Sequence, residues 1–364
     1  MLKVSPASGS SSTSDTIPHS RPTLGNLEGA AVSRVIASGQ LAQGPEVSAL
    51  EKEGARILGH AGAVATGSGS QALLLALKCL GLGNGTRVAI PAFTCSAVLH
   101  AVEWAGAEPV LLDVAENELA PFPSILGGLS EPVDAAILVH PWGYPLDASA
   151  WKSAVPLLIE DCAQSIGALW DGRPVGGEGD ASIISFYATK MLCAGEGGLL
   201  STSSIDTAEE ARDLRDYDGK TEHARRFNFK MSDLQAAVAR VQLSRLPEFL
   251  EKRRRLAQRY DEEVTGLGLR PVETAPEATP SYFRYLCTVP DVSRLLAFCN
   301  SHGVHCRRPV PVTLDRLLHQ LQLTNTLLAW NRFISLPIYP ALSDTEQDRV
   351  LEVIAKAAKE GLLD

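Results

Sequence analysis

The sequence has no paired-cysteine motif. Its seven cysteines (Cys79, Cys95, Cys162, Cys193, Cys287, Cys299, Cys306) are odd in number, and none belongs to a CxxC pair. A zinc knuckle or a dense disulfide framework needs closer, paired spacing, so no metal is expected and reduced thiols in apolar surroundings are. No apolar run approaches the roughly 18–20 residues of a membrane helix. The first residues also lack the basic-then-apolar pattern of a signal peptide. Positive charge is not in excess: 33 Lys and Arg stand against 42 Asp and Glu, a net charge of -9. Such a balance does not suit nucleic acid or an anionic membrane, although a local site can oppose the global sign. These absences predict a cytoplasmic protein that binds neither nucleic acid nor membrane.

What is present is the composition of a globular enzyme. The 364 residues are 45% hydrophobic and 21% charged, enough for a large core and more than one block of structure. Residues 1–16 are Ser-rich and read as a flexible tail. From Leu24 to Leu58 the spacing is helical, broken by the loop SGQLAQGPE at 38–46. After residue 60 come short apolar runs at 63–66, 87–91, 109–114, 134–140, 156–161, 181–186 and 197–202. Helical patterns separate several of them, such as Gln71 to Leu80 and Cys95 to Ala105. Strands apolar on both faces that alternate with helices predict an α/β fold built on a large, mostly parallel sheet. Near residue 246 the pattern changes to a long charged helix (247–264), SYFRYLCTV, a helix near 292–301 and a C-terminal helix from Ser343 to Glu360. The expected division is a tail (1–16), a large block (17–246) and a small α+β block (247–364). The basic cluster KRRR (252–255) sits among Glu248, Glu251, Asp261, Glu262 and Glu263, and reads as a solvated helix face.

Three local features carry chemistry. Gly67-Ser68-Gly69-Ser70-Gln71-Ala72 follows a predicted strand and opens a helix. It fits the GxGxxA dinucleotide fingerprint nominally, but the ribose-binding acid expected about 20 residues on is missing. Free N–H groups at a helix N-terminus, flanked by small hydroxyl residues, instead suit a single phosphate; a plain tight turn is the alternative. Second, Asp161 ends a strongly apolar strand, at the edge where open α/β sheets bind ligands. Third, a strand delivers Ser185 and a turn then presents Lys190 ahead of the glycine-rich Gly195-Glu196-Gly197-Gly198. Alone, Asp161 could be a helix cap and Lys190 a solvated charge. Together with a phosphate site they make the set that pyridoxal phosphate needs: an amine for its aldehyde, a carboxylate for its pyridine nitrogen and a seat for its phosphate.

On these residues the chain resembles the DegT/DnrJ/EryC1/StrS family of pyridoxal-phosphate-dependent sugar aminotransferases. The likeness runs from about Ile17 to the C-terminus through IPHSRPTLG, ASGQLAQGPEV, GSGSQALLLAL, VAIPAFTC, GAEPVLLDV, VHPWGYPLD, IEDCAQSIGA, GDASIISFYATK, GEGGLLST, RFNFKMSDLQAAVARVQL and SLPIYPALSD. The resemblance implies a type I aminotransferase fold, with a seven-stranded mixed sheet and a small C-terminal domain. It implies that Lys190 forms the Schiff base, Asp161 faces the pyridine nitrogen and Gln164 lies against the phenolic oxygen. Ser68, Gly69, Ser70 and Ser185 would hold the phosphate. Asn228 would reach the cofactor phosphate of a second subunit, which makes the protein at least a homodimer with shared sites.

The chain also departs from its relatives. Cys95 stands where many carry an aromatic that stacks on the ring, and Lys230 where an arginine is common. A frequent histidine–aromatic pair is not recognisable around Gly303 to Pro309, leaving Lys230, Arg307 and Arg308 as candidate substrate cations. The expected reaction moves an amino group from glutamate or glutamine to a keto-sugar linked to a nucleotide diphosphate. Alternatives are a non-sugar ketone as acceptor, or a pyridoxal-binding protein without turnover. Related sugar dehydratases carry histidine where Lys190 stands, which argues against dehydration.

Overall fold

The structure is a computed structural model that describes residues 16–319 and 323–363. The Ser-rich tail read at 1–16 lies outside the described residues except for Thr16. Helices α1 (Asn26–Ser38) and α2 (Pro45–Leu58) lead into strand β1 (Gly62–Thr66) and helix α3 (Gly69–Cys79). Strands β2 (Arg87–Pro91), β3 (Glu108–Leu112), β4 (Ala135–Val139) and β5 (Leu157–Asp161) follow, with α4 (Ser96–Ala105) after β2 and α5 (Ala148–Ala154) after β4. The short strands β6 (Leu169–Trp170) and β7 (Arg173–Pro174) precede β8 (Ala181–Ser185) and β9 (Gly198–Thr202). All seven apolar runs are strands of one seven-stranded sheet, in the order β1-β9-β8-β5-β4-β2-β3. Pairs from β8 through β3 are parallel, while β9 runs antiparallel to both its neighbours.

The continuous apolar runs are explained by cover on both faces. Ile137, Val139 and Ile159 pack with the leucines of α3 and with α4, whereas Ala136, Leu138 and Leu158 pack with Trp151 of α5. That alternation is the period-two geometry of a strand buried on two sides. It also sends Glu160 and Asp161, consecutive in β5, to opposite faces.

Helices α6 (Ile205–Arg215) and α7 (Asp233–Ser244) lead to the long α8 (Leu246–Val264). Beyond it, β10 (Arg270–Pro271) joins β12 (Tyr285–Thr288) and β13 (Phe333–Leu336) in an antiparallel sheet, and β11 (Ala278–Thr279) joins β6 and β7. Helices α9 (Val292–Ser301), α10 (Leu314–Leu317), α11 (Thr324–Arg332) and α12 (Asp344–Lys359) complete the chain. Ile17 pairs with Val304 and is buried with Tyr260, Leu336 and Ile354, so the segment just before α1 is tied to the last third of the chain.

The KRRR cluster corrects an expectation. Arg253 is not on a solvated face but 4% exposed. It lies on the α8 stripe of Leu256, Ala257 and Tyr260, and its guanidinium donates to the carbonyls of Tyr282, Phe283 and Ile338. Three carbonyl acceptors replace the water that a buried cation loses. Burial still brings its pKa down to about 9. Lys252 and Arg255 do face solvent, paired with Glu248 and Asp344.

Candidate active site

In a parallel sheet the strands deliver their C-terminal ends to one edge, and loops from that edge converge. Here β5 delivers Asp161 and β8 delivers Ser185, and the chain then turns through Tyr187, whose carbonyl accepts the N–H of Lys190. Lys190 and Asp161 are close enough for each charge to act on the other. Burial raises the carboxyl pKa of Asp161, against the opposing pull of the Ala163 N–H (2.9 Å) and Lys190. Burial lowers the pKa of Lys190, with Asp161 opposing. Both shifts share one cause: a recessed site disfavours each charged form.

Beside this pair lies a cup. Ser68 caps α3 by accepting the Gln71 N–H at 3.3 Å, leaving the first-turn N–H groups of Gly69 and Ser70 free of helical partners. Ser185 stands directly against that turn. A Cβ on Gly69 would lie 2.9 Å from the Ser185 Cβ, so only glycine allows the close approach. The cup thus joins residues distant in sequence: Ser68, Gly69, Ser70 and Ser185. An N-terminal helix turn with hydroxyls on two sides binds a phosphate well. Amine, carboxylate and phosphate seat together fit pyridoxal phosphate.

The neighbours divide into those the fold gathers and those it does not. Gln164 accepts the Trp142 N–H at 3.1 Å, which leaves its amide N–H groups to donate. Cys95 precedes α4, exposed, and its side chain acts electrostatically on Lys190. Asn228 is exposed beside the cup, since the next residue's carbonyl accepts the Gly67 N–H at 2.9 Å. Lys230 instead bonds Asp216 (2.6 Å) and Asp218 (2.5 Å). Arg308 stacks 4.0 Å from the Trp330 ring centre and donates to Ser293. Arg307 is exposed and acts on His19 and Arg284.

Several residues at this edge were not singled out from the sequence. Trp142 is buried with φ 52°, a left-handed conformation that a bulky residue adopts only when its surroundings hold it. Its indole packs 4.8 Å from Phe93 and donates to the Pro309 carbonyl. Phe283 places its ring centre 5.5 Å from Lys190 Nζ. In the sequence such aromatics look like any core residue. His140, Glu160 and Cys162 bring their ligand atoms within 4.8 Å of one another, but they do not make a metal centre. His140 Nδ1 accepts the Leu146 N–H, so Nε2 carries the proton and donates to Glu160 at 3.0 Å. Glu160 also accepts the N–H groups of Gly176, Glu178 and Gly179, which leaves no donor set free for an ion.

The model of the DegT/DnrJ/EryC1/StrS aminotransferase family matches residues 22–355. Among solved structures, the aminotransferase TlmJ from Streptoalloteichus hindustanus is 30% identical, with a TM-score of 0.88 over 96% of this chain and 100% of that one. A DegT DnrJ EryC1 StrS aminotransferase from Brucella abortus is 28% identical, with a TM-score of 0.82 over 91% and 95%. Spr1654 from Streptococcus pneumoniae, solved in PLP and PMP forms, shares the fold at 22% identity, with a TM-score of 0.88 over 95% and 99% for the PLP form. The chain belongs to the DegT/DnrJ/EryC1/StrS family and is a pyridoxal-phosphate-dependent aminotransferase.

Proposed function

We propose that this aminotransferase moves an amino group from glutamate or glutamine to a nucleotide-linked keto-sugar. One juxtaposition carries the reading: Lys190 and Asp161 recessed together beside the Ser68–Ser70/Ser185 cup. Bound pyridoxal phosphate supplies an electron sink for the carbanion left when the donor loses its α-proton. Asp161 keeps the ring nitrogen protonated, and a cationic N–H facing it offsets the cost of burying its charge. The cup residues fix the phosphate, and Gln164 turns its free N–H groups to the phenolic oxygen. Lys190 would hold the cofactor at rest and, once released, its amine would take the proton from the donor α-carbon. Its lowered pKa favours the neutral amine that a base requires. Cys95 borders the same space in place of a stacking aromatic. Lysine at 190, rather than histidine, supports transamination over dehydration.

The same reading makes the protein a cytoplasmic homodimer, with Asn228 reaching the second subunit's cofactor phosphate. The Asn228 side chain makes no hydrogen bond among the described residues and stands exposed, which suits a contact outside its own chain. No helix among the described residues is long and apolar enough to cross a membrane. The same reading divides the chain into a cofactor domain (17–246) and a small domain (247–364), supported by the start of α8 at Leu246, although Ile17 packs with the later block. Of the cations considered for substrate, Arg307 alone has neither an ion pair nor a stacking partner among the described residues, and it supports an anionic acceptor.

The test is a pair of half-reactions. Glutamate or glutamine should bleach the bound-cofactor absorbance and release the matching keto acid, and a nucleotide-linked keto-sugar should restore it. An unchanged spectrum with every donor would favour a binding role without turnover. Restoration by simple cyclic ketones alone would move the acceptor outside the sugars. Mixing inactive Asn228→Ala and Lys190→Ala proteins should regain activity if sites are shared between subunits.

A further inference from the structure

In the grooves of the molecule acids and cations are mostly paired, as Glu46 and Glu53 are with Arg240 and Glu178 is with Arg173. One cleft differs. It lies among the loop after β3, the turn after β4, β6 and the segment 271–278, and is made of two cavities of about 480 and 350 Å³. Tyr144, Val272, Glu273 and Thr274 line both, so the two share a wall. Asp261 lines the first and Glu118 the second, and no lysine, arginine or histidine lines either. Among the described residues none of these three acids has an ion pair. The Asp261 carboxylate accepts the Tyr285 O–H at 2.6 Å; burial raises its pKa, the tyrosine opposes and Glu262 adds to the rise. Arg254 acts on Tyr282, but its guanidinium donates to the carbonyls of Gly167 and Pro280.

The wall of the cleft is aromatic. Tyr144 and Tyr282 meet edge-on with ring centres 5.9 Å apart, and Tyr282 lies 6.4 Å from Tyr285. Trp170 and the exposed Phe122 line the second cavity. The backbone holds this wall: Tyr282 has φ 50°, left-handed for a bulky residue, and a Cβ on Gly143 would lie 2.9 Å from the Tyr282 nitrogen. Side chains from 282 to 285 then divide between two places. Phe283 and Arg284 belong to the lysine side, with Lys190 Nζ at 5.5 Å and Arg284 Cζ at 5.2 Å from the Phe283 ring centre. The Arg284 guanidinium meets His19 and, among the described residues, no carboxylate. Tyr282 and Tyr285 line the cleft instead. Cleft and reactive lysine are served by different side chains of one segment.

We propose that this cleft binds a small organic cation, an ammonium group carried on an apolar ring. Carboxylates lacking a cation supply the charge, and the aromatic wall attracts a cation while packing its apolar body. A phosphate or a carboxylic acid would meet three like charges. A bare metal ion would leave the aromatic wall without a partner. Cavities of this size suit a molecule of one or two rings. The site stands apart from the donor and acceptor roles given above and does not depend on them.

The test uses the cofactor-loaded protein and calorimetry at physiological salt. The probe is benzyltrimethylammonium, which cannot condense with the cofactor's aldehyde. It should bind at least about tenfold tighter than neutral benzyl alcohol and than tetramethylammonium. Glu273→Gln, at an exposed side chain lining both cavities, should weaken it about two- to fivefold, and Trp170→Leu by a similar factor. Glu273→Gln combined with Asp261→Asn should weaken it about five- to twentyfold. Should the double variant fold poorly, Glu273→Gln alone decides. In the donor half-reaction, saturating probe should leave the half-saturating glutamate concentration within about twofold. Absence of binding at millimolar probe overturns the proposal, as does unchanged affinity in the folded variants. Competition with glutamate overturns it by placing the cation at Lys190. Equal affinity for tetramethylammonium overturns it by leaving only a diffuse acidic surface. The binding arms need no turnover, so failure of the donor or acceptor reading leaves them standing.

Discussion

The two faces of β5 hold two carboxylates one residue apart, and the fold treats them oppositely. Glu160 is wholly buried, but His140 and three backbone N–H groups converge on it and hold its pKa down to about 2 despite the cost of burial. Asp161 is 8% exposed and receives a single backbone N–H, so burial prevails and its pKa rises. One carboxylate is finished and rigid, locking the loop 176–179 to the sheet. The other is left short of partners at the edge where a ligand binds. Incomplete solvation, more than residue type, separates the site from the scaffold.

Breaking the reactive face should cost activity, and breaking the finished face should cost stability. Lys190→Ala should lower turnover by at least about 10⁴-fold without a comparable loss of stability; steady-state rates and melting curves decide this, and normal turnover would refute the role given to Lys190. Asp161→Asn should lower the rate by about 10³-fold and weaken the cofactor, read from turnover and from the absorbance of titrated cofactor. Glu160→Gln should reverse that pattern, costing about 2–4 kcal/mol in denaturant unfolding while the folded fraction keeps most of its turnover. The pH dependence sharpens the contrast. A carboxylate whose folded pKa lies near 2, against 4.5 unfolded, gives stability that is complete above about pH 4.5 and lost as pH falls toward 2. Glu160→Gln should flatten that acid limb. The smallest change is expected at the border of the site, where Cys95→Ala should weaken the cofactor by about two- to tenfold in the same titration.

Much of this was legible before the structure. The strand runs at 63–66 through 197–202 were readable because a strand covered on both faces must be apolar at nearly every position. Lys190, Asp161 and the 67–72 turn stood out only in combination, since each alone reads as a solvated charge, a helix cap or a tight turn. Arg253 was misread because its local neighbours are acidic, whereas its real partners are carbonyls at 282, 283 and 338. Arg284 and His19 went unnoticed because nothing distinctive stands beside them in the chain. No local pattern marks a cation whose surroundings come from residues 142, 307 and 335.

The sequence by itself determined the alternation of strands and helices, the residue types able to hold pyridoxal phosphate, and the lack of an apolar run of membrane-helix length. Periodicity and chain-local motifs are written within a few residues of each other, so they survive without coordinates. Tertiary structure decided which charges are paired and which are left wanting. It set Ser185 against Gly69, filled the lone pairs of Glu160 but not those of Asp161, and left Arg284 without an acid among the described residues. Burial and partnership are sums over atoms from distant segments, and only folding brings those atoms together.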